Sequence, residues 1–294
     1  MSRALVLGGG GPVGIGWEAG LVVGLRDAGV SLADADLIVG TSAGSVVGAQ
    51  LAGGVDLASA IELLTASTGE VDAEANQAAV EGLQKLTTIV AEAVASGGSS
   101  DEVRAKLGRL ALDSPTVSEA DFLGLFAVMA AGEWPDRFAC TAVDAATGAF
   151  RLWERGDGVD LAHAVASSCS VPTIYPPVTI NGARYMDGGM RDMLNADVAA
   201  GHDVVVAVSC TLLSLPEGFG DPTLEAMLAG TQAQIDSLRD GGSKVETVVP
   251  GDEFLEVSGW GLNLMDFTRA EAAYQAGVRQ AALEAPRLSA LWTP

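Results

Sequence analysis

Two short apolar runs, each broken by glycine and each followed by a helical pattern, constrain this chain more than any other feature. Ala4–Leu7 reads as a strand, Gly8–Gly14 as a glycine loop, and Trp17–Ala28 as a helix stopping at Gly29. Leu37–Gly40 reads as a second strand and passes at once into a small-residue helix over Ala43–Ala52. Alternating strand and helix signals of this kind predict an α/β fold.

The rest of the chain fits that frame. From about Leu57 to Gly132 only helical spacing is visible, which predicts a helical insertion at about 57–132 within a single domain spanning 1–294. Gly97-Gly98-Ser99-Ser100 interrupts this block, with Asp101 placed to cap the next helix. The apolar face of Phe122, Leu125, Phe126 and Met129 reads as core rather than as a lid. Strand signals return at Arg137–Val143 and Ala149–Trp153. A hairpin then turns on Asn181-Gly182 between Val178–Ile180 and Ala183–Met186. Leu161–Ser167 is helical, Asp203–Ser209 is a buried strand, and Leu262–Glu284 is a late helix.

Composition narrows the function. Of 294 residues 49% are apolar, enough for a large core, and 16 basic against 38 acidic residues leave a formal charge of −22. No basic face for nucleic acid is available, and the charge opposes docking to anionic lipid. No stretch reads as a signal peptide or a membrane span. Three cysteines, Cys140, Cys169 and Cys210, form no CxxC pair and read as buried apolar residues in a reducing cytoplasm. The sequence contains 2 histidines, so any site that needs imidazole must use His163 or His202.

Gly9-x-Gly11-x-x-Gly14 also sits where a dinucleotide loop would, but the second strand closes on Gly40-Thr41-Ser42 without the acidic residue such a site needs. Four consecutive glycines suit an anion cradle better, because their N–H groups converge. Gly40-Thr41-Ser42-Ala43-Gly44 is a G-x-S-x-G element between strand and helix, which marks Ser42 as a nucleophile with a helix N-terminus behind it. A serine nucleophile needs a proton acceptor. The order Ser42, Asp187, His202 matches an α/β-hydrolase triad, yet His202 precedes its strand and falls at the wrong edge of the sheet. His163 lies inside a helix. Asp187 remains, in an Asp187-Gly188-Gly189 loop that is also a common turn.

Four blocks taken together carry a family resemblance. They are Gly9–Gly14, Gly40–Gly44, the segment Ala166-Ser167-Ser168-Cys169-Ser170-Val171-Pro172 leading into Tyr175-Pro176-Pro177, and Asp187-Gly188-Gly189. The chain resembles patatin-like lipid acyl hydrolases. The resemblance implies a three-layer α/β/α sandwich and a Ser42–Asp187 dyad without histidine. It also implies an oxyanion hole at the Gly9, Gly10 and Gly11 backbone, to which the helix start adds the Ala43 N–H, and no cofactor or metal. Gly14, Gly40, Gly44, Gly188 and Gly189 complete the motifs. One departure stands out: Val13 occupies the position where the family usually carries Arg or Lys. The expected activity is hydrolysis of lipid or other acyl esters, of phospholipase A or esterase type, with at most weak peripheral membrane contact. An acyltransferase of related fold and a non-catalytic lipid-binding protein are the rival readings. An aspartate at its reference pKa of about 3.9 is a feeble base, so desolvation of Asp187 is expected.

Overall fold

A computed structural model describes residues 1–67, 73–95, 100–130, 132–215 and 222–292. In chain order the strands are β1 (Arg3–Leu7), β2 (Leu37–Gly40), β3 (Phe138–Asp144), β4 (Phe150–Glu154), β5 (Val178–Ile180), β6 (Ala183–Asp187), β7 (Val204–Val208) and β8 (Lys244–Val248). Helices α1 (Gly11–Asp27) and α2 (Ala43–Ala52) follow β1 and β2. Between β2 and β3 come α3 (Leu57–Ser67), α4 (Ala73–Ala95), α5 (Ser100–Asp113), α6 (Glu119–Gly124) and α7 (Ala127–Ala130). The later helices are α8 (Leu161–Ser168), α9 (Pro222–Asp240), α10 (Asp252–Val257) and α11 (Ala270–Trp292).

The strands form one mixed sheet in the order β5-β6-β3-β2-β1-β7-β8, with β4 paired to β3. Side-chain alternation along β1 separates two apolar layers. Leu5 and Leu7 pack with α1, α2, α3, α8 and α11, whereas Ala4 and Val6 pack with Ile235 and Leu238 of α9. On that second face Leu86 of α4 and Val103 and Leu107 of α5 cover Val143 and Met186. The result is a sheet flanked by helices on both faces, the three-layer arrangement that the family resemblance implies.

One detail of the sheet positions the site. Strand β3 pairs with β4 along one edge, because Ala139 to Val143 face Glu154 to Phe150. Its other edge is shared: β2 pairs with Phe138–Cys140 and stops at Gly40, and antiparallel β6 takes over with Asp187 opposite Ala142. The parallel strand β2 and the antiparallel strand β6 therefore run toward each other and end within two residues of each other along β3. The chain leaving Gly40 meets the chain leaving Asp187.

Several expectations shift. Helix α1 begins at Gly11 rather than Trp17, with Pro12 in its first turn and Gly11 at φ 57°. Its glycines Gly16, Gly20 and Gly24 lie against α11 closely enough that β-carbons would collide with that helix. The late helix runs over Ala270–Trp292, not Leu262–Glu284, because residues 258–266 form a hydrogen-bonded loop and Asp266 accepts the Thr268 N–H at the next turn. Asp101 lies inside α5 and caps nothing; Gly97-Gly98-Ser99 falls outside the described residues. The 122–129 face is split between α6 and α7: Phe122 and Phe126 are buried, while Leu125 is 65% exposed.

Candidate active site

Ser42 stands between β2 and α2 at φ 51°, ψ −115°, a conformation that L-residues rarely adopt. The flanking glycines explain how the turn closes. A β-carbon on Gly40 would strike the Gly44 carbonyl, and one on Gly44 would strike the Leu7 carbonyl. Only glycine at both positions lets α2 start directly over β1 and β2. Ser42 N–H donates to Ser168 Oγ (3.0 Å), and Ser45 Oγ donates to the Ser42 carbonyl (2.7 Å). Both bonds hold the Ser42 backbone, and neither uses its hydroxyl.

Asp187 is 2% exposed and Ser42 6%. Asp187 Oδ1 accepts the Gly189 N–H at 2.7 Å, and Oδ2 is sealed from solvent without a completed hydrogen bond. Burial pushes its pKa up to about 7; the Gly189 N–H and the Ser42 side chain act in the opposite direction and offset only part of the rise. The Ser42 side chain thus lies close enough to the carboxyl to favour its charged form.

One segment ties the two together. Ser168 Oγ receives the Ser42 N–H, and two residues on the Ser170 carbonyl receives the Asp187 N–H at 2.9 Å. The Ala166–Pro172 block is in this sense a strut between serine and aspartate. Beneath them Thr41 Oγ1 and Thr141 Oγ1 share a hydrogen bond (2.8 Å), and Asn195 Nδ2 donates to Thr41 Oγ1 (3.1 Å) and to the Asp192 carbonyl (2.6 Å). Ser168, Thr141 and Asn195 were not singled out as site residues from the sequence. Ser168 falls within a motif block, but its role, like those of Thr141 and Asn195, depends on a partner remote in the chain. Gly188 needs its missing side chain, because a β-carbon would collide with Thr141.

The glycine loop lies against the serine: a β-carbon on Gly9 would sit 3.5 Å from Ser42 Cβ, and one on Gly14 would sit 3.4 Å from Ala43 Cβ. Its N–H groups are not equivalent. Gly8 N–H donates to the Val208 carbonyl (3.0 Å) and Gly9 N–H to the Met193 carbonyl (2.7 Å). The Gly9 N–H, expected to face a bound anion, is engaged by this carbonyl. The N–H groups of Gly10, Gly11 and Ala43 have no acceptor among the described residues. They lie at the N-terminal ends of α1 and α2, where helix dipoles favour negative charge. Val13 is fully buried and its N–H donates to the Leu264 carbonyl, so this position presents no cation.

Neither histidine enters the site. His202 precedes β7 and its Nδ1 lies 3.0 Å from the Ala199 carbonyl. Gly40 and Val208 both pair with Leu7, so His202 is a full strand length away, more than about 16 Å at 3.3 Å per residue. His163 lies in the first turn of α8, beside Asp160 at 2.7 Å, at the opposite end of that helix from Ser168. Among the described residues no cluster of His, Cys, Asp and Glu is suited to a metal ion, and no helix is long and apolar enough to cross a membrane.

Comparison with known proteins gives this fold and site a family. The sequence profile described as patatin-like phospholipase matches residues 5–200, and the chain belongs to that family of lipid acyl hydrolases. Among solved structures it is similar to VipD from Legionella pneumophila (13% identity, TM-score 0.42), covering 95% of this chain and 67% of that one. It is also similar to the type III effector protein ExoU (14% identity, TM-score 0.33), covering 96% of this chain and 54% of that one. This chain therefore spans about half the length of ExoU. No curated protein sequence matches it at a significant level.

Proposed function

We propose that the chain is a serine acyl-ester hydrolase of phospholipase A or esterase type that works through Ser42 and Asp187 without histidine. The observation that carries this reading is a serine at φ 51° whose side chain reaches a buried carboxyl with an unpaired oxygen. Asp187 removes the Ser42 proton as Oγ bonds to the acyl carbonyl carbon. The carbonyl oxygen becomes an oxyanion held by the N–H groups of Gly10, Gly11 and Ala43. Collapse breaks the ester bond, and Asp187 returns the proton to the departing alcohol. Water then attacks the acyl-enzyme with Asp187 as base, releasing the carboxylic acid and restoring the serine.

A pKa near 7 removes the objection that aspartate is too weak a base. The serine–carboxyl contact is expected to tighten as charge develops. The substrate is a neutral or zwitterionic lipid, or a dispersed ester, since −22 of net charge and a buried Val13 give an anionic head group little to bind. Three free cysteines fit a reducing compartment such as the cytoplasm. The test is labelling by a fluorophosphonate probe. Labelling of the native chain that vanishes in Ser42→Ala supports the reading, and unchanged labelling in that variant overturns it. Product analysis with an added lysolipid acceptor separates hydrolysis from acyl transfer.

A further inference from the structure

The loop joining α10 to α11 is built around a bulky side chain turned outward. Gly259, Trp260 and Gly261 follow one another at φ 59°, 57° and 89°, and a tryptophan in the left-handed region is a costly choice. The loop is nevertheless closely hydrogen-bonded. Trp260 N–H donates to the Leu255 carbonyl (2.7 Å), Asn263 N–H to the Ser258 carbonyl (2.9 Å), and Gly261 N–H to the buried Ser258 Oγ (3.3 Å). At its tip Trp260 is 65% exposed and Leu262 57% exposed; Trp260 is the only exposed aromatic among the described residues.

The base of the same loop touches the active site. Leu264 and Met265 are buried, the Leu264 carbonyl accepts the Val13 N–H (3.2 Å), and Met265 Sδ lies 3.0 Å from where a Gly11 β-carbon would be. An apolar tip in solvent and an apolar base against the glycine loop are thus five residues apart at most. The helix leading into the loop exposes Asp252, Glu253 and Glu256, of which Glu253 pairs with Arg279. Acidic side chains beside the tip oppose an anionic surface and leave an uncharged or zwitterionic one.

The geometry points to Trp260 and Leu262 as the anchor by which the protein docks on an uncharged or zwitterionic lipid surface, with the glycine loop set beside it. This rests on the reading of the site as a lipid hydrolase. Indole combines an apolar body with a polar N–H, the combination favoured at the boundary between head groups and acyl chains. Insertion of the tip needs no refolding, because the hydrogen bonds of the loop already hold it outward.

Binding is read on Ser42→Ala protein, so that chemistry cannot interfere, using co-sedimentation with phosphatidylcholine vesicles. The expected result is binding that survives high salt, weakens when anionic phosphatidylglycerol is added, and falls at least tenfold in Trp260→Asn/Leu262→Gln. Asparagine accepts the left-handed backbone, so this variant keeps its fold, which a matching thermal melt verifies; Trp260→Phe/Leu262→Met should retain binding. In otherwise native protein the Asn/Gln pair should lower turnover of phosphatidylcholine vesicles at least tenfold while leaving a soluble short-chain ester within twofold. Vesicle binding unchanged by the Asn/Gln pair overturns the proposal. So does a concentration-dependent dimer that the same pair abolishes in a chain that ignores vesicles, which would give the tip to a second copy. If the native chain hydrolyses neither substrate yet Ser42→Ala binds vesicles through Trp260, the hydrolase reading fails and the anchor stands.

Discussion

Asp187 and Glu18 are two carboxyls withdrawn from water, and their surroundings differ. Asp187 keeps one hydrogen bond to Gly189 and a serine beside it, and burial lifts its pKa to about 7. Glu18 is fully buried in α1 and neither oxygen completes a hydrogen bond. Burial drives its pKa well above the usual range, against the opposing pull of the Cys210 thiol and the Gly8 backbone. Burial raises both carboxyls, and the balance between lost water and retained donors sets how far each one moves.

The contrast breaks most sharply on activity. Ser42→Ala and Asp187→Asn should each lower kcat/KM for an acyl ester by about 10⁴-fold or more. Glu18→Gln should change it by only a few-fold at pH 7, measured in the same assay. A loss with Glu18→Gln equal to that with Asp187→Asn would erase the distinction. Gly10→Ala comes next. Its β-carbon would meet Cys210 Sγ at 2.6 Å and move a free N–H, so a loss of about 10²–10³ in kcat is expected. Gly9→Ala should cost less, because its N–H is already engaged and its β-carbon meets the movable end of Met193.

The pH–rate profile sharpens the comparison further. An acid limb near pH 7 from Asp187 should persist in His163→Ala, His202→Ala and Glu18→Gln. A limb that vanishes in either histidine variant would contradict the aspartate assignment. Stability carries a related signature. From the ordinary 3.8 to about 7, folded Asp187 holds a proton that the unfolded chain has released, so stability falls as pH rises through this window. Asp187→Asn escapes that loss. By denaturant midpoint it should be more stable than the native chain at pH 8, by on the order of 4 kcal/mol at most, with the gap closing as pH falls toward 4. Glu18→Gln should show the same sign, its gap opening above 4.5.

Much of the fold was legible because it is local. The strand boundaries at Leu37–Gly40, the Asn181-Gly182 hairpin and the small-residue helix after Ser42 follow from spacing and turn chemistry within a few residues. The later third was harder to read. Helix α11 contains Pro286, which ordinarily argues for a break. Helix α9, strand β8 and helix α10 went unread, and β8 lies at a sheet edge with no in–out alternation, only its last residue Val248 being buried. The availability of Gly10 N–H but not Gly9 N–H depends on where the Met193 carbonyl arrives from another loop.

The sequence by itself determined the kinds of chemistry on offer: a serine in a strand-to-helix turn, glycines that expose N–H groups, one aspartate loop, and too few histidines for a confident triad. Only the tertiary structure decided that Ser42 and Asp187 meet, because β2 and β6 share one edge of β3 and end against each other there. It also decided what the aspartate is. An ionisation constant is set by the water a group has lost and the donors it has kept, and both depend on parts of the chain far from residue 187.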